Sequence, residues 1–163
     1  VPELRALRGE HSRWRDVVLS PTSDLDLHNV RGGCLEIIAE IEPGNAETVG
    51  LKLLCSPDGE EETLITYAPQ TGLLAIDRSR SSVSADVQRD THSAQVRLAE
   101  DETLKLHVFL DRSVIEVFAN GRACLSSRVY PSRPDSVHAK LVARSDMAKL
   151  RALDAWVMRS IWE

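Results

Sequence analysis

Residues 104–128 read LKLHVFLDRSVIEVFANGRACLSSR, and the pattern is that of strands in a half-buried sheet. Leu104, Leu106, Val108 and Leu110 alternate with Lys105, His107 and Phe109. This period of two arises when one face of a strand meets a core and the other meets water. Asp111-Arg112-Ser113 interrupts the run. A second strand of β-branched and aromatic residues follows, Val114-Ile115-Glu116-Val117-Phe118, closed by Ala119-Asn120-Gly121. Asn-Gly supplies the two positive φ angles of a type I′ hairpin turn, so residues 122–129 are expected to fold back as a third strand.

The rest of the chain reads as strands punctuated by turns. Residues 13–19 and 34–41 are apolar segments bounded by Ser20-Pro21, Arg31-Gly32-Gly33 and Glu42-Pro43-Gly44-Asn45. Pro57-Asp58-Gly59 has the residues of a tight turn, with Glu60, Glu61 and Glu62 as its solvated flank, and Gln70-Thr71-Gly72 is a second turn. Val137, Ala139, Leu141 and Ala143 alternate with His138, Lys140 and Val142. Residues 146–157 fit two patterns: a helix capped by Asp146 with a stripe of Met147, Leu150, Leu153 and Val157, or a strand with Leu150, Ala152, Asp154, Trp156 and Met158 on one face. Many short strands at regular spacing predict an all-β fold, a two-sheet antiparallel β-sandwich in a single domain.

Composition excludes several classes. The formal charge of −5 and the lack of a Lys/Arg stripe argue against nucleic acid as a partner. The apolar runs are too short for a membrane span. Cys34, Cys55 and Cys124 are odd in number and lack CxxC spacing, and His11, His28, His92, His107 and His138 show no ligand spacing. No metal and no cofactor is expected. The cysteines read as small buried hydrophobes, with one bridge and a spare thiol as the alternative, which would suit an exported protein in an extracellular or periplasmic setting.

The run VFLDRSVIEVFANGR followed by SSRVYP resembles the C-terminal β-sandwich of glycoside hydrolase family 32, the invertases, levanases, inulinases and fructan exohydrolases. GLKLLCSPDGEEETLITY at 50–67 resembles the family's strand, Asp-Gly turn and Glu-x-Thr strand, and LAIDRSRSS at 74–82 its Asp-Arg-Ser strand. The acidic residue that the family carries after the Tyr is Ala68 here. PELRALR at 2–8 looks like the connection out of the catalytic domain, and LRALDAWVMRSIW at 150–162 like the last strand, which favours the strand reading there. The resemblance implies a concanavalin A-like lectin/glucanase type of sandwich over 13–163, with 1–12 as a connector from an N-terminal catalytic β-propeller.

In that family the catalytic residues belong to the propeller, in Trp-Met-Asn-Asp-Pro-like, Arg-Asp-Pro and Glu-Cys motifs. None occurs here; the nearest strings are Arg133-Pro134-Asp135 and Cys34-Leu35-Glu36. Retaining hydrolysis needs two carboxyl groups roughly 5 to 5.5 Å apart, and no such pair stands out, so no catalytic residue is assigned. The expected function is a non-catalytic C-terminal module of a β-fructofuranosidase-type enzyme. Its expected partners are the propeller of the same polypeptide, sucrose or fructan through that propeller, and a second copy in a homodimer. A free-standing lectin-like carbohydrate-binding module is the alternative, and a complete small enzyme a third reading.

Asp-Arg-Ser occurs twice, at Asp77-Arg78-Ser79 and Asp111-Arg112-Ser113, each after a strand. These are read as structural corners rather than ligand contacts, with Arg112 expected to satisfy an inward Glu116. Asn120 and Gly121 carry the hairpin. The aromatics read as scattered, with Phe109 and Phe118 in strands where core packing is the default. Trp14 and Trp162 are the carbohydrate-binding candidates, and equally candidates for an apolar patch that would favour dimerisation.

Overall fold

The computed structural model describes residues 2–160. Among them, a short helix α1 (Pro2–Arg5) precedes twelve strands: β1 (Arg8–Leu19), β2 (Leu25–Arg31), β3 (Cys34–Glu42), β4 (Thr48–Cys55), β5 (Thr63–Ala68), β6 (Leu73–Asp77), β7 (Thr91–Gln95), β8 (Leu104–Asp111), β9 (Val114–Ala119), β10 (Ala123–Arg128), β11 (His138–Arg144) and β12 (Ala148–Met158). They form two six-stranded antiparallel sheets, β1-β12-β3-β8-β9-β10 and β2-β11-β4-β5-β6-β7. The sandwich predicted from alternation is therefore the observed fold. Leu104, Leu106, Val108 and Leu110 of β8 and Ile115 and Val117 of β9 face inward, against Leu51 and Leu53 of β4, Ile65 and Tyr67 of β5 and Ile76 of β6.

The turns form as their residues demand. Asn120 and Gly121 take φ of 49° and 65°, and Arg122 N–H donates to the Ala119 carbonyl at 3.0 Å. Asn120 also ties this hairpin to β8: its Oδ1 accepts from Lys105 N–H at 2.9 Å and its Nδ2 donates to the Thr103 carbonyl at 2.9 Å. In Ser56-Pro57-Asp58-Gly59 the Gly59 N–H closes onto the Ser56 carbonyl at 3.0 Å.

Several expectations are corrected. β1 begins at Arg8 rather than Arg13, so residues 8–12 belong to the first sheet. β2 and β7 are edge strands with few buried positions, which left little apolar pattern to read. Residues 148–158 form a strand, but the register against β3 shifts between Leu150 and Ala152. Leu153 and Ala155 therefore point inward, and Trp156 turns to the outer face opposite Glu36. A single extra residue reverses every later side chain of a strand. The cysteines are free thiols: Cys55 is buried, Cys34 half-buried and Cys124 exposed. Burial pushes the Cys55 thiol up to about 12.

Candidate functional site

One end of the sandwich gathers the chain start and most of the distinctive segments. Arg8 pairs with Met158, Cys34 with Asp111, Val114 with Arg128, His138 with Cys55, and Asp77 with Thr91. The loops 56–62, 78–90, 112–113 and 129–137 consequently lie together where the chain enters. Residues 120–122 and 70–72 lie at the opposite end.

Of the expected solvated flank of the Asp-Gly turn, Glu60 is exposed, whereas Glu61 and Glu62 are buried. Glu61 is 0 % exposed, and its carboxylate sits at the centre of this end. Oε1 accepts from Val83 N–H at 2.9 Å and Ser132 N–H at 2.8 Å; Oε2 accepts from Arg133 N–H at 3.2 Å and the Ser136 hydroxyl at 2.5 Å. Burial alone would raise the pKa of this carboxyl. The hydrogen bonds from Ser136, Val83, Ser132 and Arg133 outweigh burial and hold it below the usual range. The neighbours behave differently: Glu62 pairs with Lys52 and Arg80, while Glu60 and Asp58 reach out to Arg133. One acidic side chain thus anchors two loops that have no strand ladder of their own. Those loops present Val83 and Tyr130, both well exposed.

The two Asp-Arg-Ser corners differ. Arg78 is buried, donating from Nε to the Asp90 carbonyl at 3.1 Å and from Nη1 to the Arg128 carbonyl at 2.7 Å, and pairing with the Asp90 carboxylate. It therefore staples the end of β10 in one sheet to the start of β7 in the other. Asp77 accepts the Ser79 N–H at 2.8 Å, shaping the turn. Arg112 is exposed with φ of 52°, and its N–H donates to the Gly33 carbonyl at 2.5 Å. Glu116 is exposed on the outer face, so the proposed pairing of Arg112 with an inward Glu116 does not occur. Asp111 instead lies 3.7 Å from the Cys34 thiol.

Glu36, met in the sequence only within Cys34-Leu35-Glu36, is buried as Glu61 and Glu62 are. Its strand alternates Leu35, Ile37 and Ala39 inward, which puts Glu36 on the outer face, yet it is 2 % exposed. Arg8 covers it in a bidentate pair, Nε to Oε2 and Nη2 to Oε1, both at 2.8 Å, and His107 Nε2 lies 2.8 Å from Oε1. Burial opposes its charge, but the bonds from Arg8 and His107 prevail and its pKa is lowered. The Arg8 guanidinium lies 3.8 Å over the Trp156 ring, and His11 stacks on the same residue at 4.7 Å. Phe109 and Phe118 continue the row, edge to face at 6.3 Å. Trp156, Phe109 and Phe118 are therefore gathered with His11 and His107, contrary to the scattered reading, while Trp14, Tyr67 and Tyr130 stand outside this row, and the alternation of β8 itself carried the signal for Phe109. Trp14 is half-buried against the core beside His28, and Trp162 lies outside the described residues.

A family model described as the C-terminal part of glycosyl hydrolases family 32 matches residues 3–157. The chain belongs to this family. The levanase of Bacillus subtilis is 29 % identical over 99 % of this chain, and a sucrose-6-phosphate hydrolase of Zymomonas mobilis 31 % identical over 77 %. This family 32 C-terminal chain spans 24 % of the length of each. Among solved structures, fructan 1-exohydrolase IIa from Cichorium intybus superposes with a TM-score of 0.89 over 98 % of this chain and 37 % of its own, at 22 % identity, a likeness of fold.

Proposed function

We propose that this chain is the non-catalytic C-terminal module of a β-fructofuranosidase-type hydrolase that cleaves sucrose or fructan, and that it packs against the catalytic propeller preceding it. The observation that carries the reading is the convergence of the chain start, Arg8 and the Glu61-anchored loops on one end of the sandwich. A domain joined ahead of Arg8 arrives at that end, which is already ordered and so loses little entropy on docking. Residues before Arg8 then serve as the connector.

Family membership and the named activities of the two relatives support the substrate class. The buried carboxylates support the non-catalytic role. Glu36 and Glu61 are each saturated by donors, leaving neither as a nucleophile nor as a proton donor. The experiment is to assay the purified chain on sucrose, inulin and levan, and then to join it to a family 32 propeller. The chain alone should release no fructose, and the propeller should raise its melting temperature, as any partner of the folded state does. Fructose release that scales with the concentration of the isolated chain would overturn the reading.

A further inference from the structure

The outer face of the first sheet carries a groove of about 710 Å³ towards the end opposite the chain start. Its floor is Ile38, 37 % exposed, and Phe118, 38 % exposed, neighbours through the pairing of Ile38 with His107 and of His107 with Phe118. Its rim brings Glu40 from β3 and Lys105 from β8, paired across the sheet, together with Asp101 from the loop before β8 and Arg151 from β12. Glu40 uses Oε1 to accept the Thr103 hydroxyl at 2.7 Å, and its second oxygen has no partner among the described residues. The Lys105 ammonium likewise makes no ion pair among them. Arg151 is held by Glu42.

We infer that this groove binds a neutral oligosaccharide chain, laid across Phe118 and Ile38 with its hydroxyls on Glu40 and Lys105. Two features select that occupant. The rim charges of both signs stand close together, so a net cation or anion gains little there, whereas hydroxyls both donate to the carboxylate and accept from the ammonium. The floor is an aromatic and an aliphatic side chain, apolar surface of the kind that the C–H face of a sugar ring covers. The volume lies in the range of small-ligand sites. The inference rests on the proposed function only for the identity of the sugar, a fructan.

The test uses the isolated chain in affinity electrophoresis and calorimetry with inulin and levan, with dextran as a second polysaccharide. Retardation by at least one fructan is expected. Phe118→Ala and, separately, Lys105→Ala should each weaken it about tenfold while leaving the unfolding transition cooperative. Lys105 is exposed, so its variant reports binding even where Phe118→Ala disturbs the sheet. Binding of dextran alone would retain the groove and remove the fructan assignment, and with it the tie to the parent's substrate. No retardation on any glycan, or retardation unchanged in both variants, overturns the inference. So does concentration-dependent light scattering that Phe118→Ala abolishes, which would make the face a dimer contact.

Discussion

Glu61 offers the sharpest prediction, because four donors from two loops converge on one buried carboxylate. Glu61→Ala removes the acceptor from three N–H groups and one hydroxyl at once. A buried donor left unsatisfied costs roughly 1–3 kcal/mol, and those near the rim recover water. The net loss should be about 3–5 kcal/mol, the range for breaking a buried charged interaction. For a domain of this length that corresponds to a fall of roughly 6–20 °C in melting temperature. Glu61→Gln keeps the shape but turns an NH2 toward one pair of donors, so about 2–3 kcal/mol should be lost. The dependence on pH follows from the lowered carboxyl. Its folded pKa lies below the unfolded value near 4.3, so its contribution is complete above that value and is lost as pH falls through the folded pKa. The deficit of Glu61→Gln should therefore shrink in acid. The assay is urea unfolding at pH 7 and at steps below pH 4.5, with limited proteolysis to locate the change in 80–90 and 129–137. A Glu61→Ala variant within 1 kcal/mol of the parent, or one whose loops resist protease as before, would refute the anchoring role.

Gly121→Val should cost roughly 1–3 kcal/mol by thermal unfolding. No atom lies within 4 Å of an added Cβ, so the whole effect is backbone strain at φ of 65°, and Gly121→Asn should recover most of it. Alkylation followed by mass spectrometry should modify Cys124 readily in the native protein, and Cys55 only after unfolding, since that thiol is buried and its pKa stands at about 12. Rapid native labelling of Cys55 would show that the β4 end opens freely.

What the amino-acid sequence determined by itself was local. The alternation over 104–110, the Asn120-Gly121 turn and the Ser56-to-Gly59 turn follow from steric preferences within a few residues, and they sufficed for an all-β sandwich. Family membership was legible in the same runs. The tertiary structure alone decided which charges are buried and which aromatics meet. Three consecutive acidic residues look alike in the chain, and Glu61 is singled out because loops 80–90 and 129–137 deliver their N–H groups to it from 22 and 71 positions away. Glu36 is sealed by Arg8 and His107, 28 and 71 positions distant, and Trp156 reaches that cluster because one residue of bulge reverses β12. Alternation states which face a side chain takes; it carries no information about what a distant strand lays over that face. Burial of a charge, and the gathering of rings into a groove, are properties of strand order, which long-range pairing sets.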